Sequence, residues 1–397
     1  MKKRLVIDAR IIDTTTGRYC RGLLEGFGKK LLAEFEVVVL VPPGSREAWQ
    51  KVYPRFKFVA CDIKNYSLCE QFGLWKILRG LKADLVHFCM PQQPIGYALF
   101  GKHKIVTTFH DLTLLKTYNR DKNWLVFKIK QAIGRVIFKV ALHRSAAILC
   151  PSNFTASEVG SFGKIAPEKV STTYLSGEIP IDFSSKVCYN GSKSSSTDDG
   201  LVLPETLSPS SETPRVWDFG RNYLLYVGNQ SSYKNIVRLA EAHQKLLKDF
   251  PGLHLVLASP PQKATEQNRK LFEKLKYRNV DFMGWLSNEK LEELYRDCKC
   301  YCFPSLFEGF GLPGLEAMKL GVPVASSNAT CLPEIYNGAA IYFDPLSSDD
   351  MAAKIAQVLS DANLRKDLVN NGFRRVETFS WKRCAGETAE VYRRVIG

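Results

Sequence analysis

The 397-residue sequence has no Cys-x-x-Cys pair, no Asp-x-Asp and no uninterrupted apolar run long enough to cross a membrane. Without spaced cysteine pairs and a supporting histidine, a structural zinc site is not expected. The 11 cysteines are an odd number, and the tightest group, Cys298, Cys300 and Cys302, alternates along a probable strand. These read as small buried thiols of a reduced, cytoplasmic protein. After Met1-Lys2-Lys3-Arg4 the apolar run Leu5-Val6-Ile7 stops at Asp8, too short for a signal peptide. Any meeting with a membrane is therefore expected from the side, at its inner face. Acidic residues are scarce, 40 Asp and Glu against 55 Lys and Arg, a formal charge of +15. That balance predicts an anionic partner, with nucleic acid, anionic lipid and sugar nucleotide all qualifying. No recognised nucleic-acid module accompanies the charge, so nucleic acid is not expected.

The length exceeds one ordinary core and predicts two domains. In the first half, Leu5 to Ile7, Val37 to Val41, Leu85 to Phe88, Ile105 to Phe109 and Ala147 to Cys150 read as buried strands. The second half repeats the theme at Tyr223 to Val227, Leu253 to Ala258, Val280 to Met283, Cys300 to Phe303, Val322 to Ala325 and Ala340 to Phe343. Short apolar strands alternating with helix-length segments imply α/β domains with doubly wound parallel sheets covered on both faces. The expected division is 1–183, a polar Ser/Pro-rich linker or insertion at 184–221, and 222–380, with a closing helix at 381–397. Open parallel sheets bind ligands beyond their carboxyl ends, which places a site in the cleft between the domains.

The most informative stretch runs from Phe303 to Met318: Phe-Pro-Ser-Leu-Phe-Glu-Gly-Phe-Gly-Leu-Pro-Gly-Leu-Glu-Ala-Met. It sets two carboxylates, Glu308 and Glu316, around a glycine-rich turn. Pro313 reads as the first helical residue, where its missing N–H costs nothing, and Glu316 as a first-turn acid. The helix amides and the close backbone approach allowed by Gly309, Gly311 and Gly314 suit a diphosphate. A carboxylate suits a vicinal diol. Taken singly, a first-turn acid and a glycine loop have ordinary structural readings.

The combination resembles the signature of the family 4 glycosyltransferases, retaining enzymes of the GT-B fold, in which two Rossmann-like domains face each other across a cleft. The resemblance covers nearly the whole chain. It implies that the first domain binds acceptor, that the second binds donor, and that Glu308, Gly309, Phe310, Gly311, Leu312 and Glu316 bind the donor. Tyr226 to Asn235 resembles the family's phosphate loop, with Gly228 and Lys234 as donor contacts; Asn229 and Tyr233 stand where relatives often carry arginine. Gly17, followed by Arg18 and Tyr19, is similar to the glycine loop of the first domain, with Thr15 where a second glycine often stands. His110, in Phe109-His110-Asp111-Leu112, matches the histidine that contacts the donor sugar. Gly284, Trp285, Leu286 and Ser287, followed by Glu289 to Tyr295, resemble the segment whose backbone meets the nucleobase, and Pro151 to Thr155 a turn where Ser152 or Asn153 caps a helix.

The implied reaction is metal-independent hexosyl transfer from a nucleotide diphosphate sugar, with GDP-mannose preferred over UDP-sugars, to a glycan or lipid-linked acceptor in cell-surface polysaccharide biosynthesis. Glu308, His110 and Lys234 are the expected catalytic residues, and no cofactor or metal is expected. The segment Lys122 to Ser145 spaces Leu125, Ile129, Ile133, Val136 and Val140 among Lys128, Lys130, Arg135, Lys139 and Arg144. It reads either as a core-facing helix with a solvated basic rim or as a helix lying on an anionic membrane. A nucleotide-sugar epimerase or hydrolase, and a non-catalytic nucleotide-sugar-binding membrane scaffold, are the competing functions.

Overall fold

The computed structural model describes residues 2–63, 67, 69–91, 93–101, 103–118, 124–178 and 220–397. They form two wholly parallel sheets. The first contains β1 (Lys3–Asp8), β2 (Phe35–Val41), β3 (Lys57–Ala60), β4 (Leu85–Phe88), β5 (Lys104–Thr108), β6 (Ala147–Cys150) and β7 (Val170–Thr172), in the order β3-β2-β1-β4-β5-β6-β7. The second contains β8 (Tyr223–Val227), β9 (His254–Ala258), β10 (Val280–Phe282), β11 (Cys300–Phe303), β12 (Val324–Ser327) and β13 (Ala340–Phe343), in the order β10-β9-β8-β11-β12-β13. In each sheet the chain reverses its direction of travel beside the first strand, between β1 and β4 and between β8 and β11. Helices leave to opposite faces there, and a crevice opens beyond the carboxyl ends.

Strands that are apolar on both faces require this burial. In β1, Leu5 and Ile7 enter one hydrophobic cluster while Val6 enters another, as a two-residue period demands. Cys300 and Cys302, both buried on β11, serve the core, and the described cysteines are free thiols.

Two edge strands escape the apolar pattern. Lys57–Ala60 and Val170–Thr172 are short, and their residues are largely half-buried or exposed, so neither shows a continuous hydrophobic run. The strand expected at Val322 to Ala325 is shifted to Val324–Ser327, because Ser326 and Ser327 are buried and paired beside β13. The expected linker at 184–221 lies outside the described residues except for 220 and 221.

The Trp381–Ile396 helix lies against the Arg18–Gly26 helix of the first sheet. A side chain at Gly22 would overlap the Trp381 ring. Trp381 donates to the Glu178 carbonyl at 2.9 Å, Tyr392 pairs with His87 at 2.6 Å, and Arg393 binds Glu34 at 2.6 Å. Among the described residues no helix is long and apolar enough to cross a membrane.

Candidate active site

From the end of β11 the chain turns through residues 304–311 into the Leu312–Lys319 helix. Gly311 caps that helix with φ of +99°, and Pro313 is its second residue rather than its first. Glu316 therefore lies beyond the first turn, which removes the simple dipole explanation for an acidic residue at this position. The glycines allow close packing on their Cα side. A side chain at Gly311 would meet the Tyr336 hydroxyl at 2.5 Å, one at Gly314 would overlap the Tyr336 ring, and one at Gly309 would overlap the His110 carbonyl. Tyr336 in turn donates to the Gly311 carbonyl at 2.6 Å. The Phe310 ring is buried against Phe379 at 5.6 Å, and Leu312 packs on the core. These two side chains support the turn.

Beside the turn, Gly228 adopts φ of +140° as the chain leaves β8. The chain then passes through a short 3-10 turn, Ser232–Lys234, held by Asn235, whose amide donates to the Pro304 and Pro345 carbonyls. Lys234 Nζ is thereby delivered to Glu308 Oε1 at 2.5 Å. Both side chains are mostly buried. Burial alone would lower the lysine's pKa, but the Glu308 carboxylate and the Tyr226 and Tyr233 hydroxyls outweigh it and hold the ammonium above its ordinary value. Lys234 also lies over the rings of Tyr233 and Phe303, at 5.2 and 5.7 Å. A fixed cation thus stands at the reversal point of the second sheet.

The first domain contributes a second cation. Gly17 caps the Arg18–Gly26 helix, but its bare Cα faces the Ile11 and Ile12 carbonyls, so it tightens its own loop. Arg18, the next residue, spans the cleft, donating to Glu316 Oε1 and to the Gly177 carbonyl at 3.2 Å. Glu316 Oε2 receives the Tyr295 hydroxyl at 3.2 Å. The sequence offered Tyr295 only as the end of the segment resembling the nucleobase contact; its place in the last turn of the Asn288–Asp297 helix makes it a partner of Glu316 instead.

His110 follows β5 at the same edge. Its Nε2 donates to the Cys89 carbonyl at 2.9 Å, which leaves Nδ1 as the acceptor of the neutral ring. Burial pushes its pKa down, against smaller opposing effects of the Cys89 carbonyl and Asp111. Tyr19 stands edge-on to the imidazole at 4.9 Å. Ser152 caps the Asn153–Gly163 helix and also donates to the Gly309 carbonyl at 2.7 Å. Glu334 accepts from the Asn153 and Phe154 amides at 2.7 and 2.9 Å, placing a carboxylate of one domain on a helix N-terminus of the other. Glu334 was missed, since its Leu-Pro-Glu setting resembles any helix start.

The segment expected at the nucleobase behaves differently. Gly284 turns with φ of +66° just after the edge strand β10, the Trp285 indole is largely open to solvent, and Leu286 packs on the core. Ser287 then caps the helix that brings Tyr295 to Glu316. Lys234, Glu308, Arg18, Glu316 and His110 thus line facing edges of the two sheets.

Two facing parallel-sheet domains, with a cation and a carboxylate meeting on either side of their seam, define an enzyme of the GT-B class. The profile described as Glycosyltransferase Family 4 matches residues 16–175, and that described as Glycosyl transferases group 1 matches residues 211–375. Together they cover most of the sequence, and the chain belongs to the family 4 glycosyltransferases. It is similar to the O-antigen chain mannosyltransferase B of Escherichia coli, 28% identical over 303 residues, 76% of this chain and 73% of that protein. It is also similar to the serotype-specific mannosyltransferase WbdA of Escherichia coli, 28% identical over 302 residues, 74% of this chain. The match covers only 34% of WbdA, so the chain spans about a third of that relative's length. The crystal structure of Anabaena HepE in complex with UDP and glucose shares the fold, with a TM-score of 0.70, 14% identity, and coverage of 99% of this chain and 100% of that one.

Proposed function

We propose that the protein transfers a mannosyl group from GDP-mannose, with retention and without a metal, to a hydroxyl of a glycan or lipid-linked acceptor at an anionic membrane surface, in cell-surface polysaccharide biosynthesis. The observation that carries the reading is the meeting of Lys234 with Glu308 and of Arg18 with Glu316 where the two sheets face each other. In transfer, the bond between the anomeric carbon and the diphosphate oxygen breaks, and negative charge collects on the leaving group. Lys234 and the amides at the start of the Leu312–Lys319 helix stabilise that anion, a preorganised electrostatic effect that needs no metal. Glu308 holds sugar hydroxyls and favours the positive charge building on the ring. His110 accepts a sugar hydroxyl's hydrogen bond at Nδ1, and Glu316 receives the ribose diol. The acceptor oxygen forms the new bond on the same face, and its proton passes to the departing diphosphate oxygen. The donor preference draws support from the mannosyltransferase names of the similar Escherichia coli proteins.

The test is incubation of the purified chain with GDP-mannose or UDP-sugars, a lipid-linked glycan and EDTA, with the product's anomeric configuration read by NMR. An α-mannoside formed from GDP-mannose in chelator is expected. Free mannose or an epimer from donor alone would replace this reading with a hydrolase or epimerase, and nucleotide binding without turnover would make the protein a sensor.

A further inference from the structure

The Trp124–Arg144 helix has two apolar faces. One belongs to the fold: Phe127, Phe138, Ala141 and Leu142 are buried, with Phe138 edge-on to Phe109 at 5.5 Å. Gly134 lies on the same side, where a side chain would sit 3.1 Å from Leu114. At about 100° per residue, Leu125, Ile129, Ile133 and Val136 fall on the opposite side. They are 60%, 52%, 54% and 57% exposed. The core-facing reading of this stripe is therefore wrong; the core takes the other face.

Single exposed apolar residues are ordinary, but a continuous row along about three turns is not. Lys128, Arg135 and Lys139 run along one margin of the row, and the helix contains no acidic residue. An apolar row with a cationic margin fits the plane of a lipid interface, where the row enters the headgroup boundary and the cations meet phosphates. Charge selects among possible occupants. A second copy of this +15 chain would bring like-charged margins together, whereas an anionic bilayer neutralises them.

The helix also begins near the cleft. Phe127 packs edge-on to Tyr118 at 5.2 Å, and the Tyr118 carbonyl accepts from Ser232 Oγ at 2.8 Å, in the same turn as Lys234.

We propose that the outward face of the Trp124–Arg144 helix docks the protein in-plane on an anionic lipid surface, with the cleft opening beside the headgroups. Delivery of a lipid-linked acceptor by this geometry rests on the proposed transferase function; the docking does not.

Co-sedimentation of the full chain with vesicles of equal parts phosphatidylglycerol and phosphatidylcholine tests it. The wild type pellets at low salt, is released by high salt, and ignores pure phosphatidylcholine. The I129E/I133E variant loses roughly tenfold or more in vesicle partition, since each glutamate removes apolar contact and repels the surface. Its melting temperature and its thermal shift with GDP stay unchanged, because both side chains are solvent-facing and outside the cleft. A K128Q/R135Q/K139Q variant binds more weakly and with a shallower salt dependence. Vesicle binding by I129E/I133E equal to the wild type overturns the proposal. So does absence of wild-type binding, or a dimer in sedimentation velocity that I129E/I133E dissolves while vesicle binding is retained. Absence of sugar transfer with vesicle binding intact would instead count against the transferase reading alone.

Discussion

Arg18 of the first domain and Glu316 of the second form an ion pair across the cleft, with side chains only 13% and 11% exposed. The pair joins two helices that start at the reversal points of different sheets. Both carboxylate oxygens are engaged, one by Arg18 and one by Tyr295. Under the proposed function a ribose diol would share or replace these contacts. A double-mutant cycle of R18A and E316A, read by urea unfolding, is expected to give a coupling of about 1–2 kcal/mol, as for a contacting charged pair shielded from water. E316A should also weaken GDP binding by roughly 10- to 100-fold in calorimetry, the worth of hydrogen bonds to a charged group. GDP affinity equal to wild type would remove Glu316 from the donor site.

Lys234 faces a sharper test. With Asn229 and Tyr233 at the positions where relatives often carry arginine, it is the one lysine or arginine of the segment from Gly228 to Asn235. K234M should lower kcat by about 10²- to 10³-fold, the usual loss when one preorganised partner of a developing anion is removed. K234R should recover part of that loss. Since Glu308 would lose its buried partner, melting temperatures of both variants must accompany the rates. A K234M enzyme that melts near wild type yet turns over at the wild-type rate would overturn the assignment.

Much of this arrangement was legible in the sequence because its causes are local. The strands at the centres of both sheets are short, apolar runs, and Glu308, Lys234 and His110 each follow such a strand within a few residues. What the sequence concealed depends on contacts between distant segments. Gly309, Gly311 and Gly314 read as room for a ligand, and their second role, close packing of His110 and Tyr336 against their Cα atoms, was hidden. Glu334 and Tyr295 act only because a helix from elsewhere arrives beside them. The row on the Trp124–Arg144 helix shows the same limit: period alone established an apolar face, but Phe127 and Phe138 on the other side determined which face the core accepted.

His110 should give the pH profile a distinctive acid limb. Burial lowers its pKa, so the ring takes up a proton at lower pH than an ordinary histidine does. Protonation at Nδ1 would abolish the acceptor offered to a sugar hydroxyl. Transfer attributable to His110 is therefore expected to decline at a pH below the ordinary histidine value of about 6.5. An H110N enzyme should be slower by about 10- to 100-fold and lack that step. A wild-type rate that halves near the ordinary histidine value, and does so equally in H110N, would assign the titration elsewhere.

Two other buried histidines should make the fold acid-sensitive. His87 is enclosed by Tyr392 and Thr108, at 2.6 and 2.8 Å, and burial, assisted by His110, lowers its pKa to about 3. His243 donates from Nε2 to the Leu253 carbonyl and receives the Gln244 amide at Nδ1, each at 3.1 Å, and burial lowers its pKa to about 4. In the unfolded chain both would bind a proton near pH 6.5. Between that value and the lowered ones, the unfolded state holds more protons than the native state, so stability rises with pH in this window. Their stabilising contribution is complete above about pH 6.5 and is lost progressively as pH falls toward 4 and 3. Each group contributes a slope of up to about 1.4 kcal/mol per pH unit, or roughly 2–3 kcal/mol between pH 6.5 and 4.5. Urea unfolding at stepped pH should show this decline, and H243Q, although less stable at pH 7, should lose about one proton's worth of the slope. An acid slope unchanged in H243Q would show that His243 is not held neutral by the fold.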